Sequence, residues 1–461
     1  MASTGADLTV DSDKWQAARL IPTSGINGAE EQERRATSAL LAVLVAVREF
    51  GRTLLHPLGA PAGHIDTFIE VPFELDGKTF YPDGVIRVSR GQRQWTALVE
   101  VKTANNQLKP EQVEAYLDVA KNQGFDALVT ISNEIPPAPG VHPTTVDKRK
   151  LRKVQLHHVP WIEVLAESFK QREHRGVADP DQAWVLGELI RYLEHPKSGA
   201  MAFEDMGPAW VSTREAVRAG TLRAGDKGAA EVVARFDALL RYAGLRLGQR
   251  LGADVNLVLS RKEAADPALR ADALRSELVE RGTVTGTLRI PNTAADLTIV
   301  ADLRANQIAC HSDLDAPREG RPRTRVNWLV RQLREAEPTL RIEAFAMHSR
   351  GAGTAELLGA VRENPDILVA DPSKELRSFR VTRLTQMGIK RGAGRGSFID
   401  SVLDGIDDFY GGVLQNLKEW TPPAPKLPSA PRLADESESA APSSAGSSVP
   451  RSDGPPQVEF V

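Results

Sequence analysis

The sequence predicts an α/β protein, and three observations lead to this fold class. Apolar stripes with helical spacing alternate along the chain with short strand-like apolar runs. Between residues 27 and 132 the order is one helix, three strands, a second helix and a fourth strand, which is typical of helices packed on a sheet. The length of 461 residues, with 41% hydrophobic and 26% charged residues, is that of a globular protein with two or three domains.

The first predicted helix extends from Asn27 to Phe50. Asn27 is its expected N-cap, and Gly51 is expected just past its end. Leucines and valines within 40–47 form an apolar stripe, and the earlier positions of the same stripe include acidic residues. The helix is therefore expected to direct one or two carboxylates along its buried face. The candidates are Glu33 and Glu30, and the spacing slightly favours Glu33.

Three strand-like stretches follow, HIDTFIEVPFEL, KTFYPDGVIRV and WTALVEVKT. The second and third are joined by SRGQRQ, in which Gly91-Gln92 suits a two-residue hairpin turn. In that register the residue numbers of each cross-strand pair add to 183, which places Asp83 opposite Glu100. A four-residue loop centred on the same bond predicts the same pairing. The hairpin is therefore expected to bring two carboxylates together.

A second predicted helix, PEQVEAYLDVAKNQ, has Pro110 in its first turn and Gly124 just past its end. It places Gln112 and Tyr116 one turn apart on one face. ALVTIS at 127–132 is predicted as the next strand, and VQLHHVPWIEVLAES as a strand that leads into a helix. These segments complete an α/β domain of ordinary size.

Changes of composition predict the domain organisation. Residues 1–24 are expected to be a flexible leader, followed by the α/β domain at 25–170, which ends where the chain becomes polar. Helical periodicity dominates 182–283 and strand patterns return at 284–420, which predicts a mostly helical region and then a second α/β domain. The tail at 421–461 contains 9 Pro and 8 Ser among 41 residues, so we expect it to be disordered.

The sequence favours a cytoplasmic protein that does not bind a membrane. The first ten residues lack the basic charge of a secretory signal. The longest apolar run, Ala39 to Val47, is too short to span a bilayer and is predicted to belong to a buried helix. Cys310 is the single cysteine, which excludes an internal disulfide, and it is expected to be a small apolar residue in a strand. The net charge of −3 identifies no partner, and a homo-oligomer is left open.

Two carboxylates and an amine are expected to meet at the hairpin. Asp83 and Glu100 offer the hard oxygen ligands that Mg²⁺ prefers, and the Val101 carbonyl is a third candidate oxygen. Lys102 leaves the strand on the same face as Glu100 and can orient a water molecule or stabilise developing negative charge. Because a carboxylate-bound metal activates water and polarises a phosphoryl oxygen, the cluster indicates phosphodiester hydrolysis. The first helix is expected to complete the metal shell, directly or through water, with Glu33 or its substitute Glu30.

The same residues carry a resemblance to a known family. Pro82-Asp83 followed by Glu100-Val101-Lys102 resembles the PD-(D/E)XK nuclease superfamily. Gln112-Val-Glu-Ala-Tyr116 is similar to the Q-x-x-x-Y motif of its RecB-like and lambda-exonuclease-like members, and the resemblance covers residues 27–165. It implies a restriction-endonuclease-like αβββαβ core with Mg²⁺ or Mn²⁺ bound by Asp83 and Glu100. It further implies that Lys102 serves the nucleophile, and that Gln112 and Tyr116 lie against the active site and the nucleic acid.

The resemblance implies a metal-dependent nuclease acting on nucleic acid, with DNA as the favoured substrate. A nuclease joined to further domains is also consistent with DNA repair, a stress response or phage defence. Two alternatives stay open: Asp83, Glu100 and Lys102 can form a salt-bridged patch on a solvated sheet face, and the same fold can serve a catalytically silent nucleic-acid-binding or scaffold protein. For Gln112 and Tyr116 alone, an ordinary amphipathic helix is the simpler interpretation.

Two Arg-rich segments of the C-terminal region are candidate nucleic-acid contacts. One lies between Arg318 and Arg334, and the other between Lys374 and Arg395. A solvated helix face and a flexible loop explain these segments equally well. The residues predicted to contact nucleic acid are Arg321, Arg323, Arg325, Arg331, Lys390, Arg391 and Arg395.

Three histidines and one glycine-rich segment carry weaker signals. His64, His157 and His158 have no metal-ligand partner at useful spacing and are predicted to be structural or surface residues. The glycines of KRGAGRGS lack the order of a P-loop, so nucleotide hydrolysis is not supported. They are predicted to form a flexible turn whose backbone amides approach phosphate.

Overall fold

A computed structural model describes residues 20–24, 26, 28–136, 140–422 and 424. Most of the predicted leader and tail, and the N-cap predicted at Asn27, lie outside the described residues. Within the described part of the chain, none of the helices combines the length and apolar character needed to cross a membrane. Helices and strands alternate through it, which confirms the predicted α/β class.

The first predicted helix is two helices, α1 at Ala29–Ala46 and α2 at Arg48–Leu55. They are separated by Val47, whose backbone is extended with φ −113° and ψ 90°. The predicted helix end at Gly51 is therefore wrong, because Gly51 lies inside α2. A Cβ atom at Gly51 would overlap the Leu44 carbonyl oxygen, so glycine is needed here for the close approach of α2 to α1.

The strands after α2 and the helix between them form an N-terminal mixed sheet. Its strands lie in the order β1-β4-β5-β6-β7, with β1, β4 and β5 antiparallel and β5, β6 and β7 parallel. Strands β2 and β3 form a separate hairpin, so two of the predicted strand stretches each contain two strands. The second helix and the fourth predicted strand have the predicted bounds. The elements are β1 His64–Ile69, β2 Phe73–Leu75, β3 Lys78–Phe80, β4 Gly84–Arg90, β5 Arg93–Val101, α3 Pro110–Gln123, β6 Ala127–Ser132 and β7 Gln155–Pro160.

The hairpin register that the sequence predicts is confirmed. Arg90 pairs with Arg93, so Gly91 and Gln92 are the two loop residues, and Gly91 has φ 59°. Gly84 pairs with Val99, in agreement with the predicted sum of 183. Because Asp83 directly precedes β4, this register carries it to the end of β5.

Side chains of β5 alternate between two hydrophobic cores. Val99 and Val101 pack with α1 and with two later helices, α4 at Trp161–Phe169 and α5 at Pro180–Glu194. Leu98 packs on the opposite face of the sheet, against α3. Glu100 shares that face with Leu98, because alternate residues of a strand point to the same side. The sheet therefore turns an acidic side chain toward α3.

The remaining described chain is built around a seven-stranded antiparallel sheet in the order β13-β12-β14-β11-β10-β9-β8. Its strands are β8 Asn256–Leu257, β9 Thr283–Arg289, β10 Leu297–Asp302, β11 Gln307–Asp315, β12 Arg341–Ala346, β13 Thr354–Leu357 and β14 Leu376–Gln386. Its helices are α6 Trp210–Ala219, α7 Lys227–Leu251, α8 Arg261–Ala265, α9 Pro267–Arg281, α10 Pro322–Gln332, α11 Leu358–Glu363 and α12 Phe398–Gly412. Cys310 is buried in β11, in the apolar environment that the sequence predicts.

The predicted helical region at 182–283 packs against both sheets. Helix α5 belongs to the core of the first sheet, whereas α6, α7 and α9 share one core with the second sheet. The polar stretch after α4 continues as a π-helical turn at Lys170–Arg175. The described residues as far as Trp420 belong to one compact unit, and their division into separate domains stays a prediction.

Candidate active site

Four charged side chains meet at the carboxyl end of β5. Asp83 Oδ2 accepts a hydrogen bond of 2.7 Å from the Val101 amide. Lys102 Nζ lies 2.6 Å from Glu100 Oε1 and 3.5 Å from Glu33 Oε2. The structure therefore brings together residues from α1, from the residue before β4, and from the end of β5, as the sequence predicts.

Helix α3, which packs on the other face of the sheet from α1, contributes two side chains to this cluster. Gln112 Nε2 donates a hydrogen bond of 2.6 Å to Glu100 Oε1. The Tyr116 hydroxyl donates to the Tyr81 carbonyl at 3.1 Å, two residues before Asp83. Burial, followed by the Glu100 charge, raises the pKa of Tyr116 to about 12, so this hydroxyl keeps its proton and remains a donor.

The structure distinguishes between the two acidic candidates of α1. Glu33 Oε1 accepts a hydrogen bond of 2.6 Å from Asn106 Nδ2 and one of 3.4 Å from the Thr103 amide. These bonds are in addition to the contact of Glu33 with Lys102. Glu30 has an 89% exposed side chain and pairs with Arg34 at the surface. Glu33 therefore belongs to the cluster, and Glu30 lies outside it.

Two residues that the sequence reasoning missed support the end of β5. The Trp161 indole N–H donates a hydrogen bond of 2.9 Å to the Lys102 carbonyl, which holds the end of β5 in place. Asn106 holds Glu33 from the loop that follows β5. The signal for Asn106 was available, since ANNQ is a polar loop directly after the ExK residues.

Burial controls the electrostatics of the cluster. Glu100 is only 1% exposed, and burial followed by the charge of Asp83 raises its pKa to about 8. Burial also raises the pKa of Asp83, against the hydrogen bond from the Val101 amide. Burial by itself would lower the pKa of the Lys102 amine. The negative charges of Glu100, Glu33 and Asp83 outweigh burial, so the pKa of this amine is raised. The carboxylates therefore favour a positive charge at this position.

The cluster offers oxygen donors of the kind that a divalent cation binds. Glu100 Oε2 is buried and has no hydrogen-bond partner among the described residues, although buried polar atoms are normally paired. Asp83, Glu100 and the Val101 carbonyl supply hard oxygen atoms, and Mg²⁺ is bound in proteins by one or two carboxylates together with water. Within the described ranges, no group of three or more His, Cys, Asp or Glu side chains is arranged around a metal position.

A surface cavity of about 420 Å³ opens toward the cluster between α1, the end of β1 and the residues before β4. Glu33 and Asp83 line its inner part, while Arg34 and Glu70 form an ion pair of 2.8 Å at its wall. Tyr81 is 63% exposed at its edge. The cluster is thus reachable from solvent.

The three histidines form local contacts that agree with the predicted structural or surface roles. His64 pairs with Asp66 at 3.2 Å on the surface, and His157 contacts Gln155 at 3.1 Å. His158 is buried, and its Nε2 atom lies 2.9 Å from the Glu134 carbonyl oxygen.

Arg325 does not belong to a nucleic-acid surface. It is 3% exposed, and its guanidinium nitrogens donate to three carbonyl groups. These bonds join α10 to the preceding loop and to the start of β14, so the residue has a structural role. The acceptors are Gly320 at 3.0 Å, Leu376 at 2.7 Å and Arg318 at 3.0 Å.

The other predicted nucleic-acid contacts are exposed, and several have acidic or backbone partners. Arg323 pairs with Asp366 at 2.8 Å, and Arg391 pairs with Asp205 at 3.0 Å. Arg331 donates to a carbonyl of its own helix. The glycine-rich turn is held by its own chain, because the Gly394 amide donates to Asp400. The remaining residues, Arg321, Lys390 and Arg395, are exposed.

A basic segment at residues 148–153, with the sequence KRKLRK, was also missed. Five of its six residues are basic, and it lies between β6 and β7. A run of this composition is a recognised signal for nucleic-acid contact. All of its basic residues except Lys150 are exposed.

The site thus combines two carboxylates at a hairpin, a lysine between Glu100 and Glu33, and a glutamine that holds Glu100. Comparisons of the chain with protein-family models, with curated proteins and with solved structures found no match.

Proposed function

We propose that this protein is a metal-dependent nuclease that hydrolyses phosphodiester bonds of nucleic acid, with DNA as the favoured substrate. The observation that carries the proposal is the buried Glu100. One of its oxygens has no hydrogen-bond partner among the described residues, and the other is bound by both Lys102 and Gln112. The five-stranded mixed sheet, with α1 on one face and α3 on the other, supports a restriction-endonuclease-like core.

Asp83, Glu100 and the Val101 carbonyl would hold Mg²⁺ or Mn²⁺. When bound, the cation supplies an acidified water and polarises the phosphoryl oxygen. Asp83 is oriented by the Val101 amide, and Glu100 is oriented by Gln112. Both carboxylates are therefore held in place before a substrate arrives, which lowers the cost of reorganisation.

Lys102 acts as a cation in this mechanism. Glu100 and Glu33 raise the pKa of its amine, which favours the ammonium form. Its ammonium group can donate hydrogen bonds to the attacking water or to the negative charge that develops on the phosphate. Glu33 acts as a positioning residue that holds Lys102 from the side of α1.

The proposal is tested by cleavage of linear, circular and single-stranded DNA and of RNA in the presence of Mg²⁺. We expect wild type to cut at least one substrate, chelation to stop cutting, and Lys102→Ala to lower the rate by at least about 100-fold. Lys121→Ala is the matched control, since Lys121 is an exposed lysine at the far end of α3 from Gln112. It should cut like wild type.

Equal cleavage by Lys102→Ala would overturn the assignment. Salt-sensitive nucleic-acid binding without cutting of any substrate would instead support a catalytically silent binding or scaffold protein. Circular dichroism of each variant shows whether the fold is intact.

A further inference from the structure

We propose that the basic segment, residues 148–153, is the surface that anchors the phosphate backbone of the nucleic acid beside the candidate active site. This inference rests on the proposed function and names a binding surface for it. Because contacts to phosphate carry no direct sequence information, the surface is expected to bind different sequences with similar affinity.

Most of the basic side chains of this segment are exposed to solvent and are not neutralised by a close acidic partner in the described part of the chain. Lys148, Arg152 and Lys153 are exposed and form no ion pair in the described part of the chain. Arg149 has an 84% exposed side chain and lies 3.8 Å from Asp147, a contact that is weak in water. Several C-terminal arginines differ, because Arg325 is buried and Arg323 and Arg391 are paired with acids.

Helix α3 holds the basic segment in place through Lys150. Its Nζ atom lies 2.5 Å from Asp118 and 3.8 Å from Glu114, and Glu114 also accepts 2.9 Å from the Asp147 amide. A short 3₁₀ turn at Lys150–Arg152 presents the neighbouring side chains to solvent. One lysine thus serves as the attachment, and the four other basic residues remain available.

The same helix fixes the spacing between this surface and the cluster. Gln112 contacts Glu100, and Asp118 contacts Lys150, so the two attachment points lie six residues apart on α3. At 1.5 Å per residue this is about 9 Å along the helix axis. Phosphates of one strand of B-DNA follow every 3.4 Å along its axis, so about 9 Å corresponds to roughly three phosphates. Along the helix axis, the attachment point of the basic segment is therefore only a few nucleotides' length from that of the cluster.

A nucleic acid fits this surface better than a membrane does. Leu151 is the one apolar residue of the segment, and at 38% exposure it offers little area for insertion into lipid. Lysine and arginine at neighbouring positions match the closely spaced charges of a polynucleotide. Anionic vesicles are included in the test as the other outcome.

The test uses the full chain with Lys102→Ala, so that binding is measured without cleavage. In this background the basic segment is neutralised by Lys148→Gln, Arg149→Gln, Arg152→Gln and Lys153→Gln, and Lys150 is kept as the attachment. Fluorescence polarisation with a labelled DNA duplex is recorded between about 50 and 200 mM salt. We expect at least about a tenfold loss of affinity at low salt. The slope of log K against log[salt] should become less negative by about 3 to 4.

The matched control removes two exposed lysines and two exposed arginines that lie outside every predicted nucleic-acid contact, by Arg223→Gln, Lys227→Gln, Arg261→Gln and Lys262→Gln. The change in net charge is equal, so a local surface predicts that affinity and salt dependence stay near those of the parent. Arg152→Gln alone should reduce the slope by about 1 and replaces the fourfold variant if that variant does not fold.

Unchanged affinity in the segment variant, an equal loss in the control, or binding to phosphatidylserine vesicles without binding to DNA would each overturn the inference. Because binding is measured separately from cleavage, the two proposals fail separately. A chain that binds DNA through the segment but never cuts contradicts only the nuclease proposal. A chain that cuts, but whose segment variant binds unchanged, contradicts only this inference.

Discussion

At the scale of single residues, a half-buried histidine and a buried histidine both contact one threonine hydroxyl. Thr130 Oγ1 lies 2.9 Å from His142 Nε2 and 2.9 Å from His158 Nδ1, and His158 Nε2 lies 2.9 Å from the Glu134 carbonyl. Each donor finds an acceptor when the His142 Nε2–H donates to Thr130, Thr130 donates to His158, and His158 donates to Glu134. Both imidazoles are neutral in this arrangement. Burial lowers the pKa of His158 to about 3 and lowers that of His142 as well.

This network predicts a loss of stability in acid. The pKa of His158 is about 3 in the fold against 6.5 for the free side chain, so the unfolded chain binds the proton first as pH falls below 6.5. We expect this residue to remove about 2 kcal/mol of unfolding free energy between about pH 7 and pH 5. Urea denaturation of wild type and His158→Gln measures the effect, because glutamine does not titrate.

The surface variant His64→Gln is the control for that prediction. The unfolding free energy of this variant should vary with pH as that of wild type does. The unfolding free energy of His158→Gln should vary less than that of wild type between pH 6.5 and 3. Parallel curves for wild type and His158→Gln would contradict the proposed neutral network.

At the scale of elements, the approach of α2 to α1 decides where the first helix breaks. Gly51 faces the Leu44 carbonyl, and an added Cβ would also lie 2.7 Å from Ile65 Cδ1 of β1. Helix propensity alone favours alanine over glycine inside a helix. The packing of three elements therefore outweighs a local preference at this position.

Gly51→Ala is expected to destabilise the protein by about 1 to 3 kcal/mol, because the added methyl group overpacks the junction. Gly411→Ala in α12 is the matched control, since no described atom lies within 4 Å of its added Cβ. There alanine should be neutral or stabilising by up to about 1 kcal/mol. Chemical denaturation of both variants checks the difference, and an equal effect at the two sites would refute the packing argument.

At the scale of the whole molecule, one arginine connects the two sheets. Arg241 of α7 donates 2.7 Å to Glu163 of α4 and 2.9 Å to the Pro136 carbonyl. Helix α4 packs on the first sheet, and α7 packs in the core of the second. Burial raises the pKa of Glu163 and lowers that of Arg241, while each charge favours the ionised form of the other. The junction between the two halves thus contains an ion pair of a buried arginine with a half-buried glutamate.

Arg241→Leu should destabilise the protein by about 1 to 3 kcal/mol, because it leaves the half-buried Glu163 without its partner. The double variant Arg241→Leu/Glu163→Leu should lose less unfolding free energy than the two single variants lose together, since neither charge of the pair remains. Guanidinium denaturation of the four proteins completes the cycle. Arg323→Leu, from the exposed pair with Asp366, serves as the control and should change stability by no more than about 1 kcal/mol. Additive single effects would show that the pair is not coupled.

The sequence by itself determined the local parts of this protein. The bounds of α3 follow from Pro110 and Gly124, and the β4–β5 register follows from Gly91-Gln92, because these signals act within a few residues. That register was enough to place Asp83 beside Glu100.

Only the tertiary structure decided which long-range partners meet. The contact of Glu33 rather than Glu30 with Lys102 depends on how α1 docks on the sheet. The burial of Arg325 depends in part on the Leu376 carbonyl of a distant strand. The division of the helices between two cores likewise depends on packing between residues far apart in the chain. Periodicity shows that a helix has an apolar face, but the identity of the surface that covers this face is settled by the free energy of the whole packed core.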